Sequence, residues 1–134
     1  MAKRKATSTN SINRQKLNGS CGVVHALDII AGRWKMLIIY KLEGRKLRFT
    51  EIKNKMPGIS ERMLSLQLKD LEKNGLVSKQ VYNEVPLRVE YELTAVAMKL
   101  SPIWHALEAW GDMHRDSFSG TARQSYEAAI RNEL

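Results

Sequence analysis

The chain has 134 residues, with 22 Lys and Arg against 14 Asp and Glu, and its formal charge of +8 corresponds to a pI near 9.8. This length predicts one basic domain with its own core and excludes a multidomain enzyme. A single cysteine, Cys21, excludes an intrachain disulfide scaffold, and because no Cys/His pair stands at zinc-ligand spacing, we expect no metal and no cofactor. The longest apolar run, 36–40, is too short for a membrane helix, and no signal segment follows the basic start, so we expect a soluble cytoplasmic protein.

The positive charge is concentrated in two segments. Residues 1–20 carry five bases and no acid, residues 33–70 carry a net +6, and residues 71–134 carry a net −2. This distribution predicts one surface for a polyanion, nucleic acid being the first candidate, and another surface for a different partner. Since residues 1–20 have too few apolar side chains to offset the entropy of ordering, they are predicted to form a mobile basic arm.

Two helices are predicted at the start of the folded region. Apolar residues at positions 24, 27, 31 and 34 have helical spacing, and Gly32 marks the end of the first helix. The second helix begins near Trp34 and ends at Gly44. Its residues are apolar on nearly every side, so we expect it to be buried.

A short helix and a longer one are predicted next. After a short extended piece at 47–49, Thr50 is expected to cap a helix that runs to residue 56 and stops at Pro57-Gly58. Ser60 is the predicted N-cap of the longer helix, because Ile59 and Leu64 occupy the two positions of a hydrophobic staple. Leucines at 64, 68 and 71 form an inner stripe, and a glycine at 75 ends a helix of about 61–74.

A hairpin and a last long helix complete the predicted elements. Alternating apolar and polar residues predict strands at 76–82 and 87–93, joined by the residues between them. Thr94 is predicted to cap a long helix with an apolar stripe, kinked by Pro102. Residues 117–134 are expected to form a short helix or tail, so the folded domain is predicted to span 21–116.

A short helix, a turn, a capped helix and a hairpin together predict a winged helix-turn-helix, a mainly α fold with a small β-hairpin wing. Such a fold places its second helix in the major groove and its wing along the backbone. With the leucine stripe inward at ~100° per residue, the other face of that helix is directed outward. The predicted DNA-binding residues are Ser60, Glu61, Arg62, Ser65, Leu66, Lys69, Lys73 and, on the wing, Arg88.

Different contacts are expected from these residues. Arg62 and Ser65 can reach base edges, whereas the two lysines farther along the helix meet phosphates. Leu66 is either an ordinary exposed leucine or a contact to a thymine methyl group. Glu61 either accepts from cytosine or stabilises the helix start as an anion. Arg88 either contacts the minor groove or a phosphate, or forms a cross-strand ion pair with a glutamate.

The sequence resembles the HxlR-type winged-helix regulators, within the broader MarR-like group, over about residues 21–111. The segments that carry the resemblance are Cys21 to Gly32, Trp34-Lys35, residues 47–52, Pro57 to Ser60, Met63-Leu64, Leu68, Leu71-Glu72, Gly75 to Val77, Val85-Pro86, Arg88 to Tyr91 and Leu93-Thr94. The resemblance implies a bacterial transcription factor that binds a palindromic operator in double-stranded DNA as a homodimer, through its first and last helices. The expected dimerisation residues are Val24, Leu27, Leu100, Ile103, Trp104, Leu107 and Trp110.

The resemblance also implies a role for Cys21, which matches the cysteine that precedes the first helix. In several members that residue senses electrophiles or oxidants, and a thiolate near a helix N-terminus is reactive. The alternative is a cysteine that packs at the dimer interface. Leu66 departs from the family, where a polar residue is common, so the operator sequence does not carry over.

Two other classes of function fit the sequence less well. The three histidines form no nucleophile or metal motif with Cys21 or a carboxylate, and no glycine-rich phosphate loop is present, so we expect no enzyme. A winged-helix module for protein interaction or RNA binding shares the fold, but it would not need dimerising terminal helices.

Overall fold

The computed structural model describes residues 21–118, 120, 124, 127–129 and 131. The predicted arm at 1–20 and most of the predicted tail at 117–134 lie outside these residues. The chain divides into two units, one ending at Met98 and the other beginning at Lys99. The described elements are α1 (Gly22–Ile30), α2 (Lys35–Leu42), β1 (Leu47–Arg48), α3 (Phe49–Asn54), α4 (Glu61–Lys73), β2 (Val77–Tyr82), β3 (Arg88–Leu93), α5 (Ala95–Met98) and α6 (Ser101–Ser117).

Aliphatic side chains of α2, α3 and α4 form the core of the first unit. Burying a side chain of this size contributes about 1.5–3 kcal/mol, so the shared core fixes the direction of α4 against the two helices before it. Met56 and Ile59 are buried at the turn between α3 and α4 and hold that turn in place. The largest fully buried side chains among the described residues are Ile38, Ile39, Leu42, Ile52, Leu64, Leu68 and Leu71.

The α2 helix is buried on one face and only partly covered on the others, so the expected burial holds in part. Ile38, Ile39 and Leu42 are buried, but Leu37 is 42% exposed and Tyr40 is half-buried. The apolar composition of the helix exceeds what its own unit covers, because the elements packed on it fully cover only one face.

Both predicted ends of α4 are confirmed. The Ser60 hydroxyl oxygen accepts a hydrogen bond from the Met63 amide at 3.0 Å, as an N-cap does. At the other end the amide of Leu76 donates to the Leu71 carbonyl at 2.9 Å and that of Gly75 to the Glu72 carbonyl at 3.1 Å. This is a Schellman motif, and its left-handed residue is Gly75 with φ +75°.

The predicted hairpin is confirmed and belongs to a three-stranded antiparallel sheet in the order β1-β3-β2. In the hairpin Val77 lies opposite Leu93 and Tyr82 opposite Arg88, while Leu47 of β1 lies opposite Tyr91 of β3. The third strand was expected only as an extended piece. Its pairing connects the helix-turn-helix to the wing through a single short sheet.

The predicted capping role of Thr50 is wrong, because β1 pairs as far as Arg48 and α3 begins directly after it at Phe49. Thr50 therefore lies inside the first helical turn. The Arg48 amide instead donates to the Glu51 side chain at 2.9 Å, which supplies the missing acceptor at the helix start.

The long last helix predicted from Thr94 is divided into α5 and α6. Thr94 does cap α5, since its hydroxyl oxygen accepts from the Ala97 amide at 3.3 Å, and the same hydroxyl donates to the Gly75 carbonyl at 2.6 Å. Pro102 lies in the first turn of α6 rather than at a kink. In the first turn of a helix the backbone amide has no helical partner, so a proline there loses no hydrogen bond. Inside one continuous helix the same proline would remove a hydrogen bond and kink the helix. No helix in the described part of the chain has both the length and the hydrophobicity to cross a membrane.

Candidate nucleic-acid interface

The outward face of α4 contains most of the predicted DNA-binding residues. Arg62, Lys69 and Lys73 are exposed, Leu66 is 47% exposed, and Ser65 is half-buried at the side. The opposite face carries the buried leucines at 64, 68 and 71. The outward face of α4 is therefore the one that the spacing of its leucines predicts.

The charge of this face is positive because its bases have no ion-pair partner among the described residues and one of its acids is paired. Arg62, Lys69 and Lys73 form no ion pair with any residue that the structure describes. Asp70, between the two lysines in sequence, pairs instead with Lys35 of α2, with Nζ to Oδ2 at 3.2 Å. The Lys35 side chain is only 14% exposed, so this pair also ties α4 to α2.

Ser60 and Glu61 stand at the N-terminus of α4. The Ser60 oxygen is already engaged as the cap acceptor, which leaves its hydroxyl hydrogen as the group it can offer to a ligand. Glu61 is exposed in the first turn, where a carboxylate stabilises the helix dipole. Both residues are therefore accounted for by the helix start itself.

Arg88 on the wing is surrounded by partners. Its Nη2 lies 3.0 Å from Glu84 Oε1, and its Nη1 lies 3.4 Å from Glu90 Oε1. The guanidinium carbon stands 3.9 Å from the centre of the Tyr82 ring, on the facing strand. A contact from Arg88 to DNA would be made beside two carboxylates, and the three charged groups together carry a net −1.

Three further cations lie outside the set of DNA-binding residues predicted from the sequence. Arg48 on β1 and Lys55 after α3 are exposed, and Lys53 on α3 is half-buried. None of them has an ion pair with a described residue. The available signal was the net +6 of residues 33–70, of which α4 accounts for only a part.

Exposed apolar side chains follow one face of α6. Ile103, Leu107 and Trp110, at helical spacings of four and three, are each more than half exposed, and Leu100 is half-buried. Trp104 is the exception among the expected dimerisation residues. It is 3% exposed, whereas the other expected residues of α6 are half-buried or exposed. Its part in a dimer stays a prediction.

The α1 helix contributes a second apolar surface and the cysteine. Leu27 is exposed and Val24 half-buried, and α1 has no fully buried residue. Cys21 is exposed and free, and it occupies the N-cap position without a side-chain capping bond. Its carbonyl accepts from the His25 amide at 3.2 Å. In the described residues no three potential ligands among His, Cys, Asp and Glu are close enough to hold a metal ion.

Residues 29–118 match the HxlR-like helix-turn-helix family. The chain is 43% identical over 96 residues to YybR of Bacillus subtilis, described as an uncharacterized HTH-type transcriptional regulator, covering 72% of this chain and 77% of that protein. The reduced form of the redox regulator HypR matches with a TM-score of 0.70 at 41% identity, over 73% of this chain and 97% of that one. Reduced YodB, a B. subtilis transcriptional regulator, matches with a TM-score of 0.62 at 38% identity, over 69% and 91%.

Proposed function

Since the chain belongs to the HxlR-like helix-turn-helix family of transcriptional regulators, we propose that it binds a palindromic operator in double-stranded DNA as a homodimer. The observation that carries this proposal is the outward face of α4. Three bases without ion-pair partners among the described residues stand there, on a helix anchored by a buried leucine stripe. A helix of this diameter fits the major groove.

The position of each side chain along α4 suggests its role. Arg62 and Ser65 lie near the N-terminus, where side chains of a recognition helix reach base edges, and Arg62 can pair with guanine through two hydrogen bonds. Lys69 and Lys73 bind phosphates, joined by Arg48 and Lys55 from the preceding elements. Leu66 packs on a thymine methyl group. Arg88 holds the wing in shape, because its guanidinium is already shared between two carboxylates.

The homodimer is supported by the apolar surfaces of α1 and α6. The exposed leucine, isoleucine and tryptophan side chains of α6 form a continuous stripe of the kind that association buries. A two-fold dimer would place its two α4 helices about one turn of DNA apart, ~34 Å, or a small multiple of it. The operator is then expected to be palindromic with the same spacing.

Arg62→Ala and Lys69→Ala test how the α4 face binds DNA. Fragments bound by the full-length protein are first selected from the host genome, and affinities are then measured on the selected site and on a scrambled duplex. Arg62→Ala should cost roughly 1–3 kcal/mol on the selected site and little on the scrambled one. Lys69→Ala should weaken binding to both duplexes equally, and about one counterion fewer should be released on binding, as the salt dependence of the affinity measures.

Two results would contradict this function. Equal losses on both duplexes for Arg62→Ala would remove its base-reading role. A monomer that shows no affinity for duplex DNA, or an affinity that salt does not change, would contradict the regulator itself and favour an interaction or RNA-binding module.

We further propose that Cys21 is where an oxidant or electrophile acts on the regulator. The thiol is exposed at the first turn of α1, beside the apolar surface assigned to the dimer, and HypR, among the similar solved structures, is described as a redox regulator. Two Cys21 thiols of a dimer can lose two protons and two electrons to an oxidant such as diamide and form one disulfide.

Diamide treatment of the wild-type protein and of Cys21→Ser tests this role. The wild type should lose operator DNA and run as a covalent dimer on a non-reducing gel, whereas Cys21→Ser should keep both its affinity and its monomer band. Equal release of DNA from the two proteins would rule out Cys21 as the sensor.

A further inference from the structure

A groove of about 390 Å³ lies at the base of the sheet in the first unit. It is formed where α2 ends, where β3 ends and where α5 lies, and it includes the turn that leads into β1. None of its residues belongs to the surfaces assigned above to DNA, to dimerisation or to oxidation. The residues used below are Leu42, Arg45, Lys46, Glu92, Leu93 and Met98.

The floor of this groove is apolar. Leu42 is 1% exposed and lies at the bottom of the groove, and Leu93 is half-buried beside it. Met98, on α5, remains partly exposed. An unbranched thioether side chain adapts to the shape of what packs on it, so the floor suits a small hydrophobic body.

The rim carries two cations and one carboxylate. Arg45 is exposed, and its guanidinium has no ion pair with a described residue, although its backbone amide is fixed by the Leu42 carbonyl at 3.2 Å. Lys46 Nζ is 3.9 Å from Glu92 Oε2, and both side chains are at least 40% exposed. That separation is too long for a hydrogen bond, so the ammonium group is only weakly held.

We propose that this groove binds a small amphipathic organic anion, with its apolar body on Leu42, Leu93 and Met98 and its carboxylate at Arg45 and Lys46. The volume lies at the lower end of the range for small-molecule pockets and is too small for a folded partner. A guanidinium fork can hold a carboxylate through two parallel hydrogen bonds. The proposal is independent of the DNA-binding function.

The floor distinguishes this groove from a phosphate contact. A DNA backbone phosphate needs cations and donors but gains nothing from a leucine and a methionine beneath them, and Glu92 would repel it. An aryl or branched alkyl carboxylate uses both parts of the groove. Its hydrophobic body is buried while its single charge meets a rim with an excess of one cation.

Titration of the full-length protein with 1-naphthoate tests the site, with calorimetry for affinity and ¹H–¹⁵N spectra for position. Resonances around Arg45, Leu93 and Met98 should shift together. Arg45→Gln should weaken binding about tenfold, the usual effect of losing a charge-assisted hydrogen bond. Lys55→Gln, which removes an exposed cation outside the groove, is the matched control and should leave the affinity unchanged. The uncharged analogue 1-naphthalenemethanol should bind more weakly than the acid.

Glu92→Gln supplies a result that misfolding cannot imitate. Removing this carboxylate frees Lys46 and lowers the repulsion, so 1-naphthoate should bind more tightly, by about two- to tenfold. Equal affinities of Arg45→Gln and Lys55→Gln would overturn the proposal, as would shifts confined to the exposed face of α6. A third result would also overturn it. If Arg45→Gln released about one counterion fewer on binding DNA, and naphthoate caused no shift in the groove, Arg45 would be a phosphate contact.

Discussion

Arg88 shows how the surroundings of a single side chain decide between a binding role and a structural one. Its guanidinium plane covers the Tyr82 ring at 3.9 Å while its two terminal nitrogens reach Glu84 and Glu90. Its Nε is buried and has no hydrogen-bond partner in the described part of the chain. The group therefore joins the tip of the wing to both of its strands, and it retains little capacity for a phosphate.

Arg88→Lys should destabilise the protein by about 1 kcal/mol, because an ammonium group cannot stack on the ring and pair with two carboxylates at once. The free energy of unfolding in urea measures the loss. In DNA binding, Arg88→Lys and Arg88→Gln should leave the salt dependence unchanged. A reduction by one counterion for Arg88→Gln would mean instead that Arg88 contacts a phosphate.

Tyr91 is a residue whose titration affects stability at alkaline pH. Burial raises the pKa of its phenol above the ordinary value of 10.0, and the Glu72 carboxylate raises it further. The folded protein then holds this proton more tightly than the unfolded chain does. Its contribution to stability is fully present below pH 10 and is lost as the pH rises through the higher folded pKa.

Tyr91→Phe should therefore unfold with a weaker pH dependence than the wild type above pH 10. The other titrating groups are common to both proteins, so the difference between the two urea-unfolding curves, measured from pH 8 to 11, isolates the phenol. Parallel curves over the whole range would contradict the assignment.

At the scale of elements, α4 could be predicted almost to the residue because its limits are set locally. The Ser60 hydroxyl and the left-handed Gly75 act within a few residues of the ends they define. The start of α3 could not be predicted in this way. It depends on the pairing of Leu47 with Tyr91, a contact between residues far apart in sequence, and that pairing moves the helix start ahead of Thr50.

Ser60→Ala tests how much the local cap contributes. It removes the acceptor of the Met63 amide, and we expect a loss of about 1 kcal/mol in the free energy of unfolding. Ser65→Ala is the control, since it lies in the interior of the same helix, where alanine is the better helix former. If the two variants were equally stable, the cap would be unimportant for the fold.

For the whole molecule, the sequence predicted which helices have apolar stripes but not which side of a stripe faces the protein's own core. Leu100, Ile103, Trp104 and Leu107 all follow helical spacing, and the pattern gave no reason to separate them. The structure separates them, because Trp104 is buried while Ile103 and Leu107 are exposed. Apolar spacing alone therefore does not show whether a residue packs inside its own chain or faces a partner.

Leu107→Glu should convert the proposed dimer into a monomer that remains folded. A carboxylate in the middle of an apolar interface would lose its hydration without gaining a partner, whereas on a free surface it costs little. Light scattering after size exclusion measures the mass, and circular dichroism checks the fold. Ala109→Glu, on another face of α6, should leave the mass unchanged. A mass that is the same for Leu107→Glu and the wild type would contradict the assigned dimer surface.

The hydrogen bonds around Thr94 have a consequence for how the wing can change. The Thr94 amide donates to the Leu76 carbonyl at 3.1 Å and its hydroxyl to the Gly75 carbonyl at 2.6 Å, so the hairpin is closed at its base next to the end of α4. Doubling the length of a loop that is closed at its base adds only ~0.6 kcal/mol to the entropic cost of closing it. Residues 83–87 can therefore be lengthened, shortened or exchanged for those of a relative without displacing the helix below. The wing tip is therefore the part of the hairpin whose length and sequence can change while the end of α4 stays in place.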